Sequence, residues 1–236
     1  MKKILTISLI FIFSTNLFCL TADEIVETMD KNLMFDEGEM MISILDYKEG
    51  RLYKTLKAKI YYKKDKGTLM EFLEPQREKG KKILLVKDNM WLFVPSVSKP
   101  LRLSAKDSFM GTSFSNRDLM DFDLKNDYIA KVLQETEKYY KLELTATNKN
   151  VTYPKVIVDV DKEYILPIKE GLYTLSGDLI KIIEFSELKN FSGKIRPSII
   201  VVIDMLNQKN YTKVVLENLQ QKQIKDTIFS PYVVAK

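Results

Sequence analysis

The spacing of apolar residues changes near Gly38. Before it, Ile25, Met29 and Leu33 recur four apart with Val26 beside them, the rhythm of an amphipathic helix. Thr21 and Glu24 stand three apart, where hydroxyl and carboxylate can each satisfy the other's free amide as a capping box. The pattern predicts a helix over roughly residues 22–33. After Gly38 the period is two: Leu56, Ala58, Ile60 and Tyr62 alternate with Lys57, Lys59 and Tyr61, and Asp65-Lys66-Gly67 turns the chain. Met70 and Phe72 continue the sheet until Pro75. Further strands are expected over residues 141–146, 156–160, 164–168, 171–175, 179–185, 199–205 and 211–219, the last two joined by Asn207-Gln208-Lys209-Asn210.

About eleven strands with almost no helix between them mean an antiparallel meander, and so many are most easily stabilised by curling into a barrel or half-barrel. The fold class is therefore mainly β, a curved and incompletely closed barrel. No linker, repeat or low-complexity stretch divides it.

Residues 80–122 carry most of the information. Asp88-Asn89 reads as a two-residue turn pairing Val86 with Trp91 and Leu84 with Phe93 on one face. The opposite face carries Lys87, so Leu84, Val86, Trp91 and Phe93 are expected to point inward, beside Met70 and Phe72 and next to a strand holding Leu101 and Leu103. These eight residues are the expected lining of an apolar cavity, unless the interior is narrow enough to be filled by side chains. The loop that follows holds Phe109, Met110, Gly111 and Phe114. Ser115 and Asp118 then open a short helix with a second capping box, followed by Leu119, Met120 and Phe122. Such a segment is costly to expose. It suits a mobile cover hinged at Gly111 or a static plug of core.

Ahead of all this, Lys2 and Lys3 precede an apolar run from Ile4 to Leu20, and Thr21-Ala22 leads into an acidic stretch. Residues 1–22 read as a secretory signal peptide, with cleavage after Ala22 and a single domain over 23–236. Cys19 follows bulky Phe18, which argues against a lipid anchor.

Composition narrows the chemistry. The net charge of +5 includes Lys2 and Lys3, too balanced for nucleic acid. The chain has no histidine, and its only cysteine lies in the leader, which removes Ser-His-Asp and Cys-His catalysis and the usual zinc sites. Ser96-Val97-Ser98-Lys99 matches an acyl-transfer pattern but sits between Pro95 and Pro100 in a hairpin loop, not at a helix start. Asp118, Asp121, Asp123 and Asp127 lack the glycine and spacing of a calcium loop and read as a solvated face. No metal, cofactor or catalytic residue is expected. Lys63, Lys64 and Lys66, with Lys79, Lys81 and Lys82, are expected to gather at one rim, as a solvated edge or a weak contact for anionic headgroups.

The runs TADEIVETMDKNL, GKKILLVKDNMWLFVP and DSFMGTSFSNRDLMDF resemble the outer-membrane lipoprotein-sorting family, LolA/LolB-like carriers of the bacterial periplasm. The later runs IRPSIIVVIDML, YTKVVLENL and IKDTIFSP keep the same order of elements. The resemblance implies a curved half-barrel with a helical lid over an apolar cavity. It also implies a monomeric, non-enzymatic carrier of lipoprotein acyl chains or other lipids. Such a carrier is loaded at an inner-membrane exporter of the ABC or RND type and unloaded at an outer-membrane acceptor. A lipid or envelope-stress sensor, or an accessory subunit of an RND-type exporter, would use the same cavity without transport.

Overall fold

The computed structural model describes residues 20–120, 124–147 and 151–234; the leader up to Cys19, and Asp121, Phe122 and Asp123, lie outside the described residues. Helix α1 spans Ala22–Leu33 as its periodicity predicts. Its capping box is closed: the Glu24 amide donates to Thr21 Oγ1 at 3.2 Å, and the Thr21 amide donates to Glu24 Oε2 at 2.8 Å. Ile25, Val26 and Met29 are buried in the main core.

The rest is one antiparallel sheet. Its first half is β1 (Glu37–Lys48), β2 (Arg51–Lys63), β3 (Gly67–Glu74), β4 (Lys82–Val86), β5 (Asn89–Phe93) and β6 (Leu101–Leu103). The second half is β7 (Tyr128–Glu135), β8 (Tyr139–Ala146), β9 (Lys155–Asp161), β10 (Leu166–Tyr173), β11 (Leu179–Phe191), β12 (Lys194–Asp204) and β13 (Tyr211–Gln221). Within each half every strand pairs with its neighbour in sequence, and β1 pairs with β13, joining the halves into one thirteen-stranded sheet. Among the described residues the two edges, β6 and β7, are unpaired with each other, so the barrel stays open.

The count exceeds the expected eleven partly because β7 hides from a pattern search. Beyond Ala130 its residues are exposed, and an apolar/polar alternation arises only where one face is buried. Conversely, the two strands expected over 164–168 and 171–175 are the single strand β10, which carries a bulge between Pro167 and Lys169.

Strand alternation builds the core. Met40, Ile42 and Ile44 from β1 and Leu56, Ala58, Ile60 and Tyr62 from β2 face α1 and the interior.

The β4–β5 hairpin corrects the sequence reading in two ways. Its turn is Lys87-Asp88, with Lys87 at φ 53°, so Leu84 pairs with Trp91 and Leu85 with Met90. The grouping of Leu84, Val86, Trp91 and Phe93 on one face holds, but that face points away from the core. Ile83, Leu85 and Met90 are the inward residues. Lys87 misled the assignment because a turn residue says nothing about which strand face is wet. The outer face is apolar because the C-terminal arm covers it: beyond β13, a 3-10 turn (Asp226–Phe229) and helix α2 (Pro231–Val234) cross it. Ile224, Phe229 and Val234 pack there on Leu69, Leu84 and Phe93, with Val86 and Trp91 partly buried beside them.

Candidate functional site

Under the concave face lies an apolar hollow of about 180 Å³. Met40 and Ile42 of β1, Ile60 of β2, Leu172 of β10, Ile183 and Phe185 of β11, Ile200 of β12, and Val214 and Leu216 of β13 form its wall. Leu33 and Met34 at the end of α1 close one side, and Phe114 and Leu119 cover it. The hollow adjoins a wider opening of about 660 Å³, with Asp30, Met34, Arg117 and Asp127 lining both. Lys63, Lys64 and Lys66 stand at that opening, together with Lys31, Lys87 and Lys125; Lys79, Lys81 and Lys82 do not. Lys63 is committed to Glu37 at 3.2 Å and Asp226 at 2.9 Å, and Lys66 to Asp226 at 3.0 Å.

The expected lining therefore lies elsewhere. Met70 and Phe72 are fully buried on the inner face, but against the loop: the Phe72 and Phe109 rings stack with centroids 6.0 Å apart. Leu84, Val86, Trp91 and Phe93 lie under the C-terminal arm. Leu101 is 52% exposed, and Leu103 is packed at the margin of the core. None of the eight lines the hollow, which sits beneath β9–β13 and β1–β2. Apart from Met40 and Ile42, the wall residues fall on strands that the sequence predicts, but nothing in sequence marked where packing would leave space.

The covering segment is closer to expectation, although its described residues form no α-helix. Ser115 and Asp118 do make the reciprocal bonds of a capping box, at 2.8 and 3.2 Å, but residues 116–120 that follow are turns. A single 3-10 turn spans Phe109–Gly111, with Met110 at φ 49° and Gly111 at φ 79°. Phe109, Phe114, Leu119 and Met120 are buried, and Met110 is partly so. The segment is tied down by polar bonds: the Ser113 amide donates to Thr212 Oγ1 at 2.9 Å, Thr212 donates to buried Asp46 at 2.7 Å, and Lys54 donates to the Met110 carbonyl at 2.5 Å.

Asp118 and Asp127 are not a solvated face. Asp127 accepts from Arg117 Nη2 at 2.6 Å, and Asp118 accepts from the Tyr153 hydroxyl at 2.9 Å. Lys181 Nζ in turn donates to the Tyr153 oxygen at 3.0 Å. Burial holds the Tyr153 hydroxyl far above its ordinary range and pulls Lys181 down.

Two further buried ionisable groups reach the hollow, and sequence reading passed over both. Arg196 Nη1 donates to the Leu33 carbonyl at 2.5 Å and approaches Met34 Sδ at 2.9 Å, gripping the end of α1. Burial lowers its pKa to about 10. Glu170 of β10 faces the hollow, and burial, with the Asp118 and Asp30 carboxylates adding to it, raises its pKa to about 8. Among the described residues no group of three or more acidic, cysteine or histidine side chains could hold a metal ion, and no helix is long and apolar enough to cross a membrane.

This open, strongly curved antiparallel sheet with a helix and an apolar segment across its hollow is the fold of the LolA superfamily. A LolA superfamily protein from Nitrosomonas europaea matches with a TM-score of 0.82 and 26% identity, over 91% of this chain and 99% of that one. A protein domain from Vibrio parahaemolyticus, described as outer membrane lipoprotein-sorting, matches with a TM-score of 0.78 and 21% identity, over 91% and 98% of the two chains. A DUF1329 family protein from Desulfovibrio piger gives a TM-score of 0.81 at 22% identity, over 90% and 97%. A family model described as "Uncharacterized protein" matches residues 63–234, and the chain belongs to that family. No curated protein matches it.

Proposed function

We propose that the protein is a non-enzymatic periplasmic carrier that shelters acyl chains of lipoproteins or other lipids on their way to the outer membrane. In this reading residues 1–22 are a signal peptide, and the remainder is a single lipid-binding domain. The observation that carries it is the apolar hollow beneath the concave sheet, covered by Phe114 and Leu119 and adjoining a wide opening. Each methylene withdrawn from water contributes about 0.8 kcal/mol, so one chain of ~16 carbons represents roughly 12 kcal/mol of gross transfer energy.

The hollow as it stands is too small for that chain. An apolar cavity of about 150 Å³ takes a benzene-sized molecule, so this one holds on the order of six carbons. A full acyl chain therefore requires the Phe109–Met120 segment to withdraw, which opens the inner face from Ile60 toward Phe72. That makes the segment a cover, with Gly111 as its hinge, and Met70, Phe72, Ile83 and Met90 as the additional lining.

Loading at an inner-membrane exporter and delivery to an outer-membrane acceptor complete the cycle. The test has two stages. Mass spectrometry of lipids that co-purify with the protein from its native envelope should find acylated species. Extraction of labelled lipoprotein from inner-membrane vesicles should then be followed by its appearance in outer membrane. Binding without transfer would replace the carrier with a sensor or exporter subunit, and no bound lipid would end both readings.

A further inference from the structure

Glu170 occupies an inward position of β10 that strand alternation would give to an apolar residue. Its cross-strand partners are Val158 on β9 and Ile183 on β11, both buried. The side chain is more than nine-tenths buried and lines the apolar hollow, and among the described residues its carboxyl has no hydrogen-bond or ion-pair partner. A buried carboxyl without a partner is costly, and each such group in a native protein calls for an explanation.

The groups around it define what could serve as partner. Asp118 on the covering segment and Asp30 on α1 act on it as like charges, so a second anion is disfavoured. Lys181 on β11 is occupied with Tyr153, and Arg117 and Arg196 also line the hollow, so a cation gains little. With a pKa raised to about 8 by burial, the carboxyl keeps its proton near neutral pH and is a hydrogen-bond donor. What it lacks is an uncharged acceptor.

We propose that Glu170 is the polar anchor of the cavity, donating a hydrogen bond to an uncharged oxygen of the cargo, an ester carbonyl or a hydroxyl, so that the preferred ligand is an ester-bearing amphiphile and neither bare hydrocarbon nor an ionised fatty acid. This rests on the carrier reading but goes beyond it: the carrier needs only grease, whereas the anchor selects a chemical class and fixes its depth.

The test measures displacement of N-phenyl-1-naphthylamine from the full chain by 1-monolauroylglycerol, laurate and dodecylamine, for the native protein, Glu170→Gln and Glu170→Leu. The native protein should take the ester about tenfold more tightly than laurate at pH 7, as expected of one buried hydrogen bond. Glu170→Leu should lose about tenfold for the ester relative to the naphthylamine, whose own affinity is measured directly for each variant. Glu170→Gln, which keeps a donor, should stay within about threefold. Raising the pH to 9 should weaken the ester for the native protein but not for Glu170→Gln. Equal ester affinity in native protein and Glu170→Leu overturns the anchor while leaving the carrier intact. A preference for dodecylamine that vanishes in Glu170→Gln overturns it in favour of a cationic cargo. Failure of the naphthylamine and all three lipids to bind the native protein overturns the carrier reading and the anchor together.

Discussion

Tyr153 donates its hydroxyl hydrogen to Asp118 Oδ2 across 2.9 Å, and this bond fastens the covering segment to the wall of the cavity. Asp118 is otherwise held by the Ser115 amide, within its own segment, and Tyr153 is braced from behind by Lys181. Such a tie is strong enough to hold a closed state and weak enough to be exchanged, since a net hydrogen bond is worth about 1 kcal/mol.

Tyr153→Phe keeps the ring and removes the tie. We expect a stability loss of about 1–2 kcal/mol, part of it from leaving Lys181 without its acceptor. Stopped-flow loading and release of a fluorescent acyl probe should both accelerate. Unchanged rates with the same stability loss would mean that the bond only props the fold.

Phe114→Ala removes a ring that covers the hollow. Denaturant unfolding should show a loss of about 3–4 kcal/mol without ligand. A sixteen-carbon probe should bind more tightly to the variant than to the native protein, because less of the cover must be displaced. Weaker binding would show that Phe114 is itself part of the lipid contact surface.

Glu170 should make stability fall with rising pH. Its folded pKa, about 8, lies above the unfolded carboxylate value near 4.3, so between these limits the native protein holds a proton that the unfolded chain has released. Its contribution is fully present below about pH 4.3 and is lost progressively as pH climbs toward 8, at up to about 1.4 kcal/mol per pH unit. Glu170→Gln should flatten this slope in unfolding curves taken from pH 5 to 8.5.

Trp91→Glu should damage the C-terminal arm and leave the cavity alone. Trp91 is partly buried against the cluster of Leu84, Phe93 and Phe229, on the face away from the hollow. We expect a loss of about 1–3 kcal/mol and earlier proteolysis near Ile224, with lipid affinity unchanged within a factor of two. A selective loss of lipid binding would return the hairpin's outer face to the site.

At Gly111, φ is 79° and a Cβ would meet nothing within 4 Å, so the demand on this residue is conformational rather than steric. Gly111→Val should cost about 1–2 kcal/mol and slow both loading and release. Normal kinetics would place the hinge elsewhere.

How much of this was legible follows from what each feature depends on. Helix α1 was legible, with approximate ends, because Thr21, Glu24 and the four-residue spacing are all local. The curved open sheet was read because alternation repeats on strand after strand. The orientation of Leu84 and Trp91 was read backwards, since both hairpin faces are apolar and the difference lies in an arm more than a hundred residues away. The lining was misplaced for a related reason: inward residues look alike whether they meet a neighbour or empty space. The Asp118–Tyr153 tie joins residues thirty-five apart on irregular segments, where no periodicity points.

The bulge in β10 decides which residue looks into the cavity. Pro167 stands opposite Val160 and Lys169 opposite Asp159, so Ile168 is the extra residue that shifts the strand's phase. Delete Ile168 and the ladder closes without a bulge, Lys169 still opposite Asp159 and Glu170 still opposite Val158. Keep Ile168 but let it take the place opposite Asp159, and Lys169 would come opposite Val158. An ammonium would then replace a carboxyl on the inward face. The kink thus guards the electrical character of the chamber against a slip of one place, and relatives of this chain should be compared by strand phase as well as by aligned identity.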